Sequence, residues 1–241
     1  MMTWWMSPTC AVARPPPTRR FGNAASVLVG DFIYTRAFQM MTSLESLRVL
    51  AVMSEAVNVI AEGEVLQLMN VNDPNISEEN YMRVIYSKTA RLFEAAAQSS
   101  AILSEASPDE EQALQEYGRY LGTAFQLIDD LLDYSADGVT LGKNTGDDLN
   151  EGKPTLPLLH AMHNGNAEQS AMIRGAIEQG NGRHLLEPVL ATMQQCGSLT
   201  YTRQRAEEEA DKAIAALQIL PDSPYRTALE GLAHLAVQRD F

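Results

Sequence analysis

The chain has 241 residues, of which 45% are hydrophobic and 20% charged, proportions typical of a soluble globular protein with one large or two small domains. Its formal net charge of −13 predicts repulsion from phosphate backbones and anionic lipid, so we expect neither nucleic acid nor membrane surfaces as partners. Because Cys10 and Cys196 are the only cysteines, a disulfide framework and a cysteine-ligated zinc site are excluded. No apolar run is long enough for a transmembrane segment and no export signal is evident, so the sequence predicts a cytoplasmic protein.

The first 20 residues differ in composition from the rest of the chain. They contain both tryptophans, Trp4 and Trp5, and the proline run 15–17. They contain no acidic residue, since the first one in the chain is Asp31. We expect the proline run to prevent a helix there. From Phe21 onward the sequence is rich in Ala, Leu, Glu, Gln and Met, which favour helices because their side chains lose little rotamer freedom.

Apolar residues at spacings of three and four predict helices throughout the remainder. Ser77 and Ser107 are predicted N-caps, since each precedes acidic residues that favour the positive end of a helix. The predicted helices span 24–41, 47–68, 77–103, 108–134, 155–162, 168–178, 185–195, 200–217 and 224–237, and a Gly- and Asp-rich loop spans 137–152. No strand-like alternation competes with this pattern, so the predicted fold class is an all-α bundle with one core.

The sharpest chemical signal is an acidic cluster in the segment FQLIDDLLD at 125–133. On a helix Asp129 and Asp133 lie one turn apart on one face, Asp130 flanks them, and Gln126 precedes them by about one turn. The apolar neighbours indicate burial, and buried carboxylates that repel one another require a compensating cation such as Mg²⁺. Because Mg²⁺ usually binds one or two carboxylates together with substrate phosphates, the pattern also predicts a phosphorylated ligand. The alternative is a solvated acidic face without a ligand.

Basic residues occur where they could meet such a ligand. Lys143 lies between two glycines shortly after the acidic segment, and Lys153 is a second loop lysine. Lys88 and Thr89 place an amine beside a hydroxyl within the third predicted helix, among apolar residues. The alternatives are a solvated loop charge for Lys143 and, for Lys88, a lysine whose stem covers apolar surface.

Together these segments resemble the trans-polyprenyl diphosphate synthases over nearly all of residues 21–241. The resemblance is carried by GNAASVLVGD at 22–31, EGE at 62–64, KT at 88–89, FQLIDDLLD at 125–133 and GK at 142–143. It implies the isoprenoid-synthase fold, a helical bundle around a central cavity, in an N-terminally truncated form, and usually a homodimer.

The resemblance also implies a reaction and a metal. In that family an allylic diphosphate, such as farnesyl diphosphate, loses its diphosphate, and isopentenyl diphosphate then attacks the allylic cation. Mg²⁺ ions stabilise the departing diphosphate in a cavity that contains little water. By resemblance Asp129 is a direct Mg²⁺ ligand, and Asp130 and Asp133 support it.

Four further residues are assigned to the substrates by the same resemblance. Lys88 and Lys143 would hold the leaving diphosphate, and Thr89 and Gln126 would offer lone pairs toward the developing cation. Repeated addition of isopentenyl units would make the polyprenyl side chain of respiratory quinones.

The chain departs from the family pattern near its start. The first Asp-rich motif, the paired arginines that follow it and an upstream segment for isopentenyl diphosphate are absent. Read from the third base of the first codon, however, the codons of residues 1–6 encode Asp-Asp-x-Val-Asp whatever the codon choice, and the next codons permit the paired arginines. We therefore expect residues 1–20 to be an out-of-frame leader, residues 21–241 to be the family domain, and the chain as given to be inactive.

Two other classes of function are compatible with the same segments. A noncatalytic partner subunit of a heteromeric synthase would keep the bundle and lose the chemistry. A terpene cyclase of the same fold is less favoured, since Lys88, Thr89 and Gln126 are typical of the elongating enzymes.

Overall fold

The computed structural model describes residues 17–135 and 145–239, and every regular element within these ranges is helical. The α-helices are α1 (Pro17–Thr42), α2 (Leu47–Asn70), α3 (Glu78–Ile85), α4 (Arg91–Leu103), α5 (Pro108–Leu132), α6 (Asp147–Asn150), α7 (Leu156–Asn164), α8 (Ala167–Gln179), α9 (Leu186–Cys196), α10 (Ser198–Ala216) and α11 (Pro224–Gln238). A π-helix spans Tyr86–Ala90, and 3₁₀-helices span Gly182–Leu185 and Leu217–Ile219. The predicted all-α fold class is confirmed.

Side-chain caps fix the beginnings of the helices that matter most for the site. The Ser77 hydroxyl accepts a hydrogen bond from the backbone N–H of Asn80 at the start of α3. At the start of α5, Ser107 and Glu110 form a reciprocal capping box, and Pro108 occupies the first helical position. Since such a cap stabilises a helix by about 1 kcal/mol, both helices begin where the sequence predicts.

Helix α5 is the central helix of the bundle and packs against α4, α10 and α11. Its second half is buried on most sides, with Leu127 and Ile128 fully inaccessible. Helix α4 approaches closely because α5 carries glycines at the contact: a Cβ at Gly118 would lie 2.5 Å from the carbonyl oxygen of Phe93. The acidic segment therefore lies inside the protein, where charges interact strongly.

A π-helix interrupts the segment that the sequence predicts as one continuous helix over 77–103. Residues Tyr86–Ala90 widen the helix between α3 and α4. Glycines of the two flanking helices meet this turn: a Cβ at Gly63 would lie 2.7 Å from Ser87 Cβ, and one at Gly122 would lie 2.6 Å from Ala90 Cα. The widened turn thus fills the space that these glycines leave, a tertiary effect that helical periodicity does not reveal.

A short helix occurs where the sequence predicts a loop over 137–152. Asp147–Asn150 form a single turn, α6, which follows Gly146 in a left-handed conformation with φ 79°. The Gly146 N–H donates to the backbone carbonyl of Asp133 at 2.8 Å. The turn is therefore held by the end of α5, a contact between separate segments that local sequence does not predict.

Helix α1 is largely exposed around its circumference. Leu28, Phe32 and Ile33 are 68%, 69% and 62% exposed, and the helix makes only a small contact with its neighbour α2. Gly22, with φ 79° and ψ 164°, separates the first turn from the rest of the helix. The expectation that the proline run blocks helix formation is wrong at Pro17, which begins α1, because a first helical residue needs no N–H partner. An apolar helix surface of this kind is typical of an interaction site.

None of the helices in the described ranges is both long and apolar enough to cross a membrane.

Candidate active site

A cavity of about 130 Å³ lies between α2, α3 with the π-helix that follows it, the second half of α5, and α6 with the segment after it. Its polar lining comes from four parts of the chain: Gln67, Asn70, Tyr81, Lys88, Gln126, Asp129, Asp130, Asp148, Lys153 and Thr155. Ile76, Val84, Ile85 and Pro154 supply the apolar remainder. The cavity therefore combines clustered carboxylates, two lysines and an apolar wall, a combination that suits a ligand with a phosphorylated end and a hydrocarbon end.

The predicted cluster of aspartates divides into three environments. Asp129 lines the cavity. Asp130 is buried, and its two oxygens accept hydrogen bonds from the Tyr81 hydroxyl and from Gln126 Nε2, each at 2.7 Å. Asp133 accepts from the backbone N–H groups of Asp147 at 3.3 Å and Asp148 at 3.0 Å. Asp130 and Asp133 thus hold neighbouring groups in place beside the carboxylate of Asp129.

Burial and mutual repulsion make these carboxylates hard to ionise. Desolvation, followed by the charge of Asp148, raises the pKa of Asp130 from 3.8 to about 7. The same two causes raise the pKa of Asp133 to about 8. Desolvation also raises the pKa of Asp148, while Lys153 acts in the opposite direction. The site carries more negative charge than the residues around it neutralise, so a bound cation would favour its ionised form.

The donor set suits a hard divalent cation. All of the clustered groups are carboxylates, the ligands that Mg²⁺ and Ca²⁺ prefer. Within the described ranges, no three acidic, histidine or cysteine side chains are arranged to hold a metal by themselves. A cation bound at Asp129 would therefore need oxygens from elsewhere, such as water or the phosphates of a ligand.

The π-helix presents Lys88 and Thr89 toward α2 and α5. Lys88 Nζ donates to Gln67 Oε1 at 2.8 Å and lies 3.9 Å from Glu64 Oε1. The buried Thr89 hydroxyl donates to Gln126 Oε1 at 2.7 Å. The structure therefore brings Lys88, Thr89 and Gln126 together, and Gln67, which the sequence does not single out, joins them through Lys88.

Lys153 is a site residue that the sequence analysis noted but did not assign. Its ammonium contacts Asp148 at 3.2 Å and Glu151 at 2.5 Å, and these carboxylates, against desolvation, raise its pKa. The preceding residue, Gly152, has φ 68° and accepts at its carbonyl oxygen from the Asn72 N–H at 2.9 Å. This hydrogen bond between two distant turns fixes Lys153 at the cavity. In the sequence, the feature that points to this residue is a lysine that directly follows a glycine.

Of the predicted site residues, Lys143 alone cannot be placed relative to the cavity. It lies in 136–144, outside the described ranges. Lys88, Gln126, Asp129 and Asp130 line the cavity, and Thr89 and Asp133 are hydrogen-bonded to residues at its edge.

Comparison with known proteins gives consistent matches. The sequence profile of the polyprenyl synthetase family matches residues 12–193, which include the end of the expected leader. Octaprenyl diphosphate synthase of Escherichia coli is 83% identical over 220 residues, covering 91% of this chain and 68% of that protein. The corresponding Haemophilus influenzae enzyme is 64% identical over 228 residues, covering 95% and 69%.

A solved structure extends the match to three dimensions. Polyprenyl synthase from Caulobacter crescentus, in complex with calcium and isoprenyl diphosphate, superposes with a TM-score of 0.89 at 42% identity. The match covers 94% of this chain and 69% of that one. With its helical bundle, its acidic cavity and these relatives, the chain belongs to the polyprenyl synthetase family of prenyltransferases, with the isoprenoid-synthase fold.

Proposed function

We propose that this chain derives from an octaprenyl diphosphate synthase, which adds isopentenyl diphosphate units to an allylic diphosphate such as farnesyl diphosphate. The observation that carries the proposal is the convergence of Lys88, Gln126 and Asp129 on one cavity, in a chain 83% identical to the Escherichia coli enzyme. The product would be the polyprenyl side chain of respiratory quinones, made in the cytoplasm.

The side chains have separate roles in this proposal. Asp129 would hold Mg²⁺, which when bound supplies positive charge to the departing diphosphate. Lys88 and Lys143 would bind the same diphosphate, and Lys153 is close enough to Asp148 to balance its charge. Gln126 lines the cavity, Thr89 is hydrogen-bonded to it, and the lone pairs of their oxygen atoms would favour an allylic cation.

We further propose that residues 1–20 are translated out of frame and that the chain as given has no prenyltransferase activity. One Asp-rich segment provides Asp129 and its neighbours, and the described residues offer no second cluster of metal ligands across the cavity. A metal arrangement that needs carboxylates on both sides of the diphosphate would then be incomplete.

The test is an elongation assay on two proteins. The purified 241-residue chain and a second protein, with the reading frame restored before Phe21 and its upstream residues supplied, are incubated with farnesyl diphosphate, labelled isopentenyl diphosphate and Mg²⁺. We expect polyprenyl products from the restored protein and none above background from the given chain. Elongation by the given chain at an ordinary enzymatic rate would contradict the proposed inactivity. Failure of the restored protein with every allylic primer would contradict the proposed function.

The exposed apolar surface of α1 supports a homodimer. Phe32, Ile33 and Leu28 are more than half exposed, and such a patch is unfavourable on a monomer. A second copy of the chain would cover it with an identical surface, the usual arrangement in symmetric dimers. The same surface favours a second candidate function, a noncatalytic subunit that pairs with an intact synthase, which co-purification with such a synthase would test.

A further inference from the structure

Tyr81, on α3, is a buried residue of the cavity that the sequence pattern does not single out. It is 4% exposed, and its hydroxyl donates to Asp130 Oδ2 at 2.7 Å. We propose that Tyr81 is a positioning residue that, through Asp130, fixes which end of the Gln126 side-chain amide faces Thr89. What this orientation does for the reaction rests on the proposed function; the orientation itself does not.

A chain of three hydrogen bonds connects Tyr81 to Thr89. Tyr81 donates to one oxygen of Asp130, Gln126 Nε2 donates to the other, and the Thr89 hydroxyl donates to Gln126 Oε1. Each of the three distances is 2.7 Å. The chain runs from α3 through α5 to the π-helix, so it joins three elements that line or border the cavity.

The carboxylate determines the direction of the whole chain. In the structure both oxygens of Asp130 accept hydrogen bonds, and the end of the Gln126 amide that faces the carboxylate is the nitrogen, which donates to Oδ1. The carbonyl oxygen of Gln126 then faces Thr89, whose hydroxyl must donate. If the amide turned over, its N–H₂ group would take the place of the carbonyl oxygen and present positive charge instead of lone pairs.

Tyr81 contributes by occupying the second oxygen of Asp130. Without the Tyr81 hydroxyl, Oδ2 of the buried Asp130 would lose the hydrogen bond that it accepts from Tyr81. Rotation about the χ2 torsion of an aspartate meets only a low barrier. The carboxylate would therefore turn, and both of its oxygens would compete for the one donor that remains, Gln126 Nε2. The nitrogen of Gln126 would then no longer be held in one direction.

In the proposed reaction this orientation favours the cation. Gln126 lines the cavity, and its carbonyl oxygen would be one of the dipoles directed at developing positive charge. Tyr81 would thereby act on the reaction through two other side chains without contributing a group to the chemistry.

The first experiment observes the amide directly. The side-chain nitrogens of glutamine are labelled with ¹⁵N in the full chain, and the Gln126 signal is identified by its loss in Gln126→Leu. We expect one amide proton to be shifted by its bond to the carboxylate, and this shift to disappear in Tyr81→Phe. The control is Tyr117→Phe, which removes an equally buried hydroxyl that donates to the Leu229 carbonyl at 2.8 Å, between α5 and α11. A Gln126 signal identical in the wild type and Tyr81→Phe would overturn the proposal.

The second experiment measures preference for positive charge without requiring turnover. Two allylic diphosphate analogues are titrated in the presence of Mg²⁺, one with a protonated nitrogen at the position of the cationic carbon and one neutral. We expect the wild type and Tyr117→Phe to prefer the cationic analogue, and Tyr81→Phe to lose about tenfold of that preference. A general structural defect would weaken the binding of both analogues equally. An unchanged ratio of the two affinities in Tyr81→Phe would therefore count against the proposed effect of Tyr81 on the allylic cation. If the given chain bound neither analogue, the same titration on the protein with its reading frame restored would test the proposed function, which failure there would contradict, and the ¹⁵N spectra would still decide the orientation of Gln126.

Discussion

Each aspartate of the acidic segment has a different set of partners. Asp130 receives hydrogen bonds from the side chains of Tyr81 and Gln126, whereas Asp133 receives them from the backbone of α6. Asp129 lines the cavity itself. Substitutions in this segment should therefore separate metal binding at Asp129 from the orientation of the residues around it.

The metal-free protein is predicted to lose stability as the pH rises from 5.5 to 8.5. Asp130 and Asp133 have pKa values of about 7 and 8 in the folded protein, against an ordinary 3.8. The folded state thus binds more protons than the unfolded state between these values, so the stability from these groups is present at low pH and is lost as the pH rises through 7 to 8. Thermal unfolding followed by fluorescence measures the effect.

Mg²⁺ should reverse this loss, with a larger rise in Tm at pH 8.5 than at pH 5.5, because it binds the ionised carboxylates. The control is NaCl at equal ionic strength, which screens charge without coordinating. A Tm that increases with pH in the absence of metal would show that these carboxylates are not the dominant titrating groups.

Lys153→Met is predicted to destabilise the protein by about 1–3 kcal/mol, because it leaves the largely buried Asp148 without its cation. The control is Arg174→Met, which removes the cation of a pair that is exposed on both sides, with the Arg174 side chain 43% and the Glu178 side chain 50% exposed. An exposed pair of this kind contributes about 0–1 kcal/mol. Urea unfolding of both variants measures the difference, and equal losses would mean that Lys153 is no more than a surface charge.

The site was predictable where its chemistry is local in sequence. Asp129 and Gln126 share one helical segment, and Lys88 stands beside Thr89, so spacing alone indicated their proximity. Tyr81 and Gln67 act through hydrogen bonds to residues 49 and 21 positions away, and each is an ordinary helix residue in its own segment. Such partners become visible only when the helices are packed.

At the scale of elements, the π-helix depends on the glycines that border it. Gly63→Ala would place a Cβ 2.7 Å from Ser87 Cβ and 2.8 Å from the Lys88 backbone nitrogen. We predict a loss of about 1–3 kcal/mol in the free energy of unfolding, because the backbone of the turn would have to move. Urea unfolding measures this loss, and chemical shifts of Lys88 and Thr89 would report the displacement.

The control for this substitution is an alanine at a helical glycine with free space. Nothing lies within 4 Å of a Cβ built at Gly175 or Gly231. There the change should be neutral or stabilising by up to about 1 kcal/mol, since alanine has the higher helix propensity. If Gly63→Ala behaved like these controls, the contact with the π-helix would not be a tight one.

Helix positions were largely predictable because caps and apolar spacing agree. Ser107 and Pro108 mark the start of α5, and Pro224 marks that of α11. The π-helix and α6 were missed because neither arises from local preference. The π-helix packs against Gly63 and Gly122, and α6 is hydrogen-bonded to Asp133 at the end of α5. Each element therefore depends on tertiary contacts.

At the scale of the whole molecule, the apolar surface of α1 should control self-association. Phe32→Glu is predicted to shift the protein from a dimer toward the 26.5 kDa monomer, because it places a charge in the centre of the proposed interface. Light scattering coupled to size exclusion measures the mass. The control is Leu232→Glu on α11, a residue 50% exposed on another part of the surface, which should leave the mass unchanged. A monomeric wild type, or a Phe32→Glu variant with unchanged dimeric mass, would contradict this assignment.

The π-helix also has a consequence for how length variation in this chain should be understood. A single π-turn is equivalent to an α-helix that has gained one residue. Deleting Ser87 would remove the extra residue and restore a regular α-helix, and the residues after it would keep the faces that they present now, because the π-turn already absorbs the insertion. The buried face of α4, with Ala95 and Ser99, would still pack inside the bundle, whereas a one-residue deletion in the regular part of α4 would rotate all later residues of that helix by about 100°. A one-residue deletion at the π-turn would thus preserve the bundle and change chiefly the positions of Lys88 and Thr89, so the irregular turn serves the cavity more than the fold.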